Sequence, residues 1–341
     1  VIEAAKKHHI DGIMTLATDM PMRTVAAVVK ELGLIGIQEE TALKATNKAK
    51  MRLALQKENV PIPKFFKVSN VKEYQNAVKK FNMPFIVKPV DSSGSRGIFE
   101  VIDINNNQLI KQAYEYCRPF SRNGDVIVEE YMKGPEVSVE TLSINGECHV
   151  IQITDKLTTG APHFVEMAHS QPTRHSQKII EQISKIAKAA NKAIGIENGP
   201  SHTEIIVTTE GPKVVELGAR LGGDNITTHL VPFSTGINMV ECCIKIALGE
   251  TIEIIPKWNR GSAIRYFQQK AGIIKKISGI EEAKKIKGVE QIEIVHGVGE
   301  SITEVCSSGS RMGYIIATAD TAKQARSLCE EAMKLIEIEI V

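Results

Sequence analysis

Apolar residues recur at Val25, Val28, Val29 and Leu32, the spacing of one helix face, and Gly33 closes the pattern. Ahead of it "VIEAAKKHH" has helical spacing and "GIMTLA" (12–17) reads as a short buried strand. Residues 1–44 therefore read as the tail of a parallel α/β domain. A helix from about Asn47 to Asn59 is stopped by "VPIP", and a second, Val71 to Phe81 with Ser69 as N-cap, stops before Pro84. "FIVKPV" (85–90) is a strand that runs into the small-residue loop "DSSGSRGI". Residues 126–156 are rich in β-branched side chains and broken by Gly134 and "NGE", which predicts antiparallel strands. From Ser176 to Ile194, Ile179, Ile180, Ile183, Ile186, Ala187 and Ala190 share one helix face, and Gly195 ends it. "TEIIVTTEGPKVVEL" (203–217) reads as a hairpin turning near Glu210. From about 261 the pattern is strand, helix, strand and helix, ending in the alternating "IEIEIV".

The 341 residues suffice for two or three domains. Apolar residues make up 43% and charged ones 24%, and the 42 basic residues are spread along the chain for a formal charge of +2. That distribution gives no electrostatic case for nucleic acid or a membrane surface, and no apolar run reaches the length of a membrane span. Six cysteines without a C-x-x-C spacing read as reduced thiols in a cytoplasmic protein. The chain begins at Val1 inside a helical pattern, so a preceding segment is expected.

Two features carry chemistry. The loop after "FIVKPV" holds Gly94, Arg96 and Gly97 behind Lys88, a setting for a phosphate, although neither common phosphate-loop signature occurs. In the hairpin, a turn centred on Glu210 sets Glu204 against Glu216, with Ile205/Val215 and Ile206/Val214 beside them. Opposed carboxylates repel at roughly 5 Å, and a hard cation between them would turn repulsion into ligation. On spacing alone, exposed glutamates at a sheet edge or a bulge that breaks the register are equal alternatives. "LGARLGGD" follows, with Arg220 among glycines, a residue suited to forking a phosphate or carboxylate.

From about Ala45 onward the chain resembles the ATP-grasp ligases. Four motifs stand in order: "TNKAKMR", "IVKPVDSSGSRGI", "VEEYMKGPEVSVE" and "HTEI…VVELGARLGG". The resemblance implies mixed α/β and α+β architecture in the ATP-grasp fold. Its parts would be a partial N-terminal domain (1–44), a first ATP-grasp subdomain with the lid loop (45–125), a second with the metal site (126–250) and a C-terminal α+β lobe (251–341). It further implies that Lys48 and Lys88 contact ATP phosphates under a lid containing Ser93, Gly94, Ser95 and Gly97. Glu129, Glu130 and Met132 would meet adenine, Glu136 the ribose, and Glu204 with Glu216 Mg2+, Mn2+ being the alternative. Many members carry an asparagine where this chain has Gly218, between Glu216 and Arg220; amino-acid and dipeptide ligases often have this Gly-Ala-Arg form.

Family members phosphorylate a carboxylate and let an amine displace the phosphate. "FVEMAHSQP" (164–172) is similar to a substrate segment of L-amino-acid ligases, which makes Glu166 and His169 catalytic candidates and Arg220 the anchor of the carboxylate or acyl phosphate. Lys156 is a weaker candidate for the γ-phosphate. His202 reads as structural, Asp224 as an acidic pocket wall suited to a cationic substrate, and Arg311 as the residue to watch in the C-terminal lobe. The expected partners are small carboxylate and amine substrates, with a homodimer allowed by the resemblance. Bicarbonate as the acid, or an ATP-binding regulator without turnover, are the alternatives.

Overall fold

The computed structural model describes every residue except Ser95 and Pro162. It contains two compact units. One comprises Val1–Ile151, Ser176–Gly223 and Val240–Glu253; the other comprises Gln152–His175, Asp224–Met239 and Ile254–Val341.

The first unit opens on four helices, α1 (Ile2–His8), α2 (Met22–Leu32), α3 (Glu39–Ala45) and α4 (Lys48–Lys57). Helix α2 buries Val25, Val28 and Val29 and ends where Gly33 turns left-handed at φ 65°. The strand expected over 12–17 is not formed: a strand exists through its ladder, and this run has no ladder partner among the described residues. Helix α4 starts on Asn47, whose Oδ1 accepts from the Lys50 N–H at 3.0 Å.

Next come β1 (Phe65–Val68), α5 (Val71–Val78), β2 (Phe85–Pro89), β3 (Phe99–Val101), α6 (Asn107–Cys117) and β4 (Val126–Glu130). The strands form an antiparallel sheet in the order β1-β4-β2-β3. Tyr74, Phe81, Phe85, Val87, Tyr114 and Val128 belong to its core. Asn70, not Ser69, caps α5, because its Oδ1 takes the Glu73 N–H at 3.0 Å while the Glu73 carboxylate reaches back to the Ser69 N–H at 2.8 Å. The helix stops at Val78, short of Phe81.

Strands β5 (Glu136–Ile144), β6 (Glu147–Thr158) and β7 (Glu166–Gln171) precede α7 (Gln177–Ile194), β8 (Gly199–Thr208) and β9 (Gly211–Gly218). Strand β6 begins in the first unit and ends in the second. In the first unit β5, β8 and β9 pair antiparallel in that order. Helix α7 buries Ile183, Ala187, Ala190 and Ile194 and ends at Gly195, φ 90°.

The remaining elements are α8 (Val231–Thr235), α9 (Met239–Ala247), β10 (Gly261–Tyr266), β11 (Gly272–Ser278), α10 (Ile280–Ala283), β12 (Val289–Ile294), β13 (Ser301–Ile302), β14 (Gly313–Ala319), α11 (Ala322–Leu335) and β15 (Glu337–Ile340). In the second unit the strand order is β12-β14-β10-β7-β6, and β13-β11-β15 form a smaller sheet. Helix α11 starts on a Thr321/Gln324 capping box and buries Ala325, Cys329 and Ala332 in a core shared with Ala263 and Ile315. More strands stand here than the alternation after 261 predicts, because two strands, β10 and β11, precede α10 and three, β12, β13 and β14, precede α11. No helix among the described residues is long and apolar enough to cross a membrane.

Candidate active site

In the first unit the hairpin of β8 and β9 turns between Thr208 and Gly211. Ile206 pairs with Lys213 and Ile205 with Val214, one residue off the pairs expected from a turn centred on Glu210. A bulge at Val215 then shifts the register, and Glu204 stands opposite Glu216. On the neighbouring strand, Ser138 pairs with Glu204 and Glu140 with His202.

Each carboxylate has a cation near it. Lys48 at the start of α4 donates to Glu216 Oε1 at 2.7 Å and to the Ser92 carbonyl at 2.7 Å. His202 Nε2 lies 3.6 Å from Glu204 Oε1, while its Nδ1 lies 2.6 Å from Glu140 Oε1. Burial would lower His202, but Glu140 and Glu204 raise it to about 9. His202 is thus a cation clamped to a carboxylate, which the sequence reading as a structural histidine did not contain. Among the described residues no three His, Cys, Asp or Glu side chains cluster as a metal cage. Two opposed carboxylates nevertheless fit Mg2+, which keeps waters and phosphate oxygens in most of its octahedral positions.

Beside this pair lies a second cluster, built on adjacent strands β2 and β4. Lys88 and Glu129 sit diagonally on one face, Glu129 being opposite Ile86. Lys88 Nζ is 2.6 Å from Glu129 Oε2. Arg52, one turn along α4 from Lys48, forks the same carboxylate at 2.5 and 3.2 Å and donates to the Val215 carbonyl at 2.7 Å. Arg52 is wholly buried and Glu129 only 3% exposed. Burial alone would raise the Glu129 carboxyl; Arg52 and Lys88 hold it down to about 2. Burial pushes Lys88 below its ordinary value; Glu129 opposes this, while the nearby Arg52 and Lys48 charges add to it. The Glu129 carboxylate therefore faces Arg52 and Lys88.

Glu130, the next residue, points to Lys213 at 3.7 Å and accepts from the Lys64 N–H at 3.2 Å. Met132 follows β4 and Glu136 opens β5, both half-buried. In the loop, Ser93 accepts on its carbonyl from Arg96 Nε at 3.0 Å, Gly94 is exposed with φ 67°, and Gly97 is buried with φ 76°. Ser95 lies outside the described residues.

Arg220 forks Asp19 at 3.2 and 3.3 Å. A Cβ at Gly218 would lie 2.9 Å from Asp19 Oδ1 and 3.1 Å from Arg220 Nε. The bare glycine, in place of the asparagine common elsewhere, leaves room for that fork. Asp19 carries no motif and escaped the sequence reading.

The second unit holds its own cluster. Lys156 on β6 pairs with His169 on β7, and Lys156 Nζ lies 3.6 Å from Glu166 Oε1. Ser308 Oγ donates to Glu166 Oε2 at 3.3 Å. His169 Nε2 is 3.1 Å from Asp224 Oδ2, and Arg311 forks Asp224 at 2.9 and 2.6 Å. Arg311 also lies 3.7 Å from the Tyr266 ring centroid and donates to the Glu166 carbonyl at 2.9 Å. Against the pull of burial, Arg311 and His169 hold Asp224 far below the usual carboxylate range. Asp224 is thus paired within the protein, with Arg311 and His169, where the sequence reading makes it an acidic pocket wall. Arg311, the residue to watch in the C-terminal lobe, supplies the forked partner.

Residues 81–228 match the ATP-grasp domain family, and residues 265–341 match L-amino acid ligase C-terminal domain 2. The chain is 25% identical over 332 residues to an L-arginine-specific L-amino acid ligase of Bacillus subtilis, covering 96% of this chain and 80% of the relative. It is 26% identical over 256 residues to the alanine–anticapsin ligase of Bacillus subtilis strain 168, covering 67% of this chain and 52% of the relative. The crystal structure of an L-amino acid ligase from Bacillus licheniformis is similar with a TM-score of 0.85 and 26% identity, over 99% of this chain and 83% of that one.

Proposed function

We propose that this chain, which belongs to the ATP-grasp superfamily and carries an L-amino acid ligase C-terminal domain, joins two amino acids or similar small substrates through an acyl phosphate. The chain is an ATP-dependent carboxylate–amine ligase similar to the L-amino acid ligases. In the proposed reaction the substrate carboxylate oxygen attacks the γ-phosphorus of ATP, and ADP leaves. The amine nitrogen then attacks the acyl carbon, phosphate leaves and the amine gives up a proton.

The observation that carries this reading is the ladder that seats Glu204 opposite Glu216 with Lys48 on the same carboxylate. A triphosphate needs several positive charges, and phosphoryl transfer asks a protein mainly for positioning and charge neutralisation. Lys48 and Lys88 are assigned to the phosphates and Glu204 with Glu216 to Mg2+. The metal, once bound, would neutralise charge on the phosphate oxygens. Glu129 then acts indirectly, holding Lys88 and Arg52 in place. Glu130 and Met132 are assigned to adenine and Glu136 to the ribose. Ser93, Gly94, Ser95 and Gly97 are assigned to the lid.

Arg220, oriented by Asp19, is assigned to the carboxylate or acyl phosphate. In the second unit Glu166 is assigned to the amine as ammonium ligand or proton acceptor, His169 to the oxyanion and Lys156 to the γ-phosphate. The C-terminal match over 265–341 favours an amino acid over bicarbonate as the acid.

The test is phosphate release from ATP with Mg2+ and amino acids supplied singly and in pairs, bicarbonate running alongside, with mass spectrometry of the product. Release that needs two amino acids is the expected result. In Glu216→Gln turnover should fall at least 100-fold while ATP still binds; near-native rates would overturn the metal assignment.

A further inference from the structure

One cavity in the first unit is lined by none of the residues assigned above. It has a volume of about 1290 Å3 and lies between α5 and α6, with Val71, Val78, Ile104 and Ile110 giving it apolar walls. Pockets for small organic molecules usually measure roughly 300–1,000 Å3, so this one is ample for such a ligand. The stacked Tyr74 and Tyr114 rings, 4.8 Å apart, belong to its lining.

Its polar residues are biased. Lys79, Lys111 and Arg118 line it against the single acid Glu115. Lys111 lies 3.6 Å from Glu115; Lys79 and Arg118 have no ion pair among the described residues. Arg118 lies against Gly124 because that glycine lacks a Cβ, which would stand 3.0 Å from its Nε. Two further lining residues carry buried hydroxyls without a partner: the Tyr114 OH and the Ser121 Oγ, in side chains only 4% and 7% exposed. By contrast the Tyr74 OH donates to the Ile110 carbonyl at 2.8 Å. Both oxygens are buried behind the cavity wall, so the chemistry offered to a ligand is that of the basic side chains and the apolar walls.

We propose that this cavity binds an organic carboxylate with an apolar aryl or alkyl body, its charge against Lys79 and Arg118, and that its occupant steadies the glycine-rich loop. The second half rests on the segment from Arg118 to Gly124, which forms one side of the cavity and touches the loop at two points. A Cβ at Gly97 would stand 2.7 Å from the Phe120 ring, so the two are in close contact. The Arg122 N–H donates to Asp91 Oδ1 at 3.3 Å, at the loop's start. Tyr116 extends the aromatic packing, its ring 5.4 Å from Phe120 and 5.8 Å from Phe99. This link to catalysis rests on reading the loop as a nucleotide lid; binding at the cavity does not.

The probe is 4-phenylbutyrate, with 4-phenylbutanol as its uncharged counterpart, titrated calorimetrically into the full chain without ATP. Binding of the acid at least tenfold tighter than the alcohol is expected. The double variant Lys79→Ala/Arg118→Ala should weaken it at least tenfold, and Gln75→Trp, which fills the cavity mouth from an exposed position of α5, should abolish it. No binding up to millimolar probe, or binding untouched by these variants, overturns the site. Hydrogen exchange of the amides from 91 to 98 should slow when the probe is bound. Unchanged exchange with intact binding overturns the lid link alone, and neither outcome bears on whether the chain is a ligase.

Discussion

Replacing Glu129 by glutamine removes one negative charge from between two buried cations and keeps the shape of the side chain. The carboxyl is held from an ordinary 4.5 down to about 2 by Arg52 and Lys88, against burial. At about 1.4 kcal/mol per pH unit, that difference is worth about 3 kcal/mol to the folded state. It agrees with the roughly 3–5 kcal/mol lost when one partner leaves a buried ion pair. Glu129→Gln should therefore unfold in urea with about 3 kcal/mol less stability at pH 7, read by far-UV circular dichroism. Because the folded value is depressed, the wild-type advantage is fully present above about pH 4.5 and fades as pH falls through about 2. The variant should lack that dependence. ATP should restore part of the loss, since its phosphates would neutralise the two stranded cations. A variant within about 1 kcal/mol of wild type at pH 7 would refute the reasoning, for it would mean that Arg52 and Lys88 do not lean on this carboxylate.

Gly97→Ala should lower kcat of the ligase reaction at least tenfold with the fold intact, because the left-handed φ of 76° and the Phe120 ring both oppose a Cβ. Adding Phe120→Ala should recover part of it, and a single variant with full activity would sink the claim that the loop is packed this tightly. Asp224→Asn should flatten the acid limb of stability: Arg311 and His169 depress the Asp224 carboxyl, so its contribution is full well above pH 4, starts to decline as pH falls below about 4, and is lost only as pH falls through the far lower folded value. Urea titrations at pH 3 and pH 7 check this, and equal losses at both pH values would count against it.

Local rules made much of the fold legible. Asn47 before an apolar-periodic run caps α4, and Gly195 after one ends α7, because both depend on neighbours three or four residues away. The pairing of Glu204 with Glu216 was reached by counting outward from the turn, yet the count was right only because two errors cancelled. The true turn sits half a residue earlier, and the bulge at Val215 restores the step. No residue type announces a bulge of this kind. Arg52 was invisible for another reason: an arginine midway along a helix reads as a solvated side chain, and its partner stands 77 residues on. Asp19 and Arg220, 201 residues apart, and Asp224 and Arg311, 87 apart, belong to the same class of long-range pairs. The strand expected over 12–17 failed because apolar character alone does not supply a neighbour to pair with.

The bulge at Val215 also has a consequence for how this gene can drift. Losing one codon from a strand normally turns every later side chain to the wrong face. Loss of codon 215 would do the opposite: with Ile205 already opposite Val214, the next residue in line would again be Glu216, still across from Glu204. The reading of the carboxylate pair would survive the deletion. What would vanish is the carbonyl that takes a hydrogen bond from Arg52, so the damage of that frame-preserving deletion would surface on α4, at a position whose own codon is untouched.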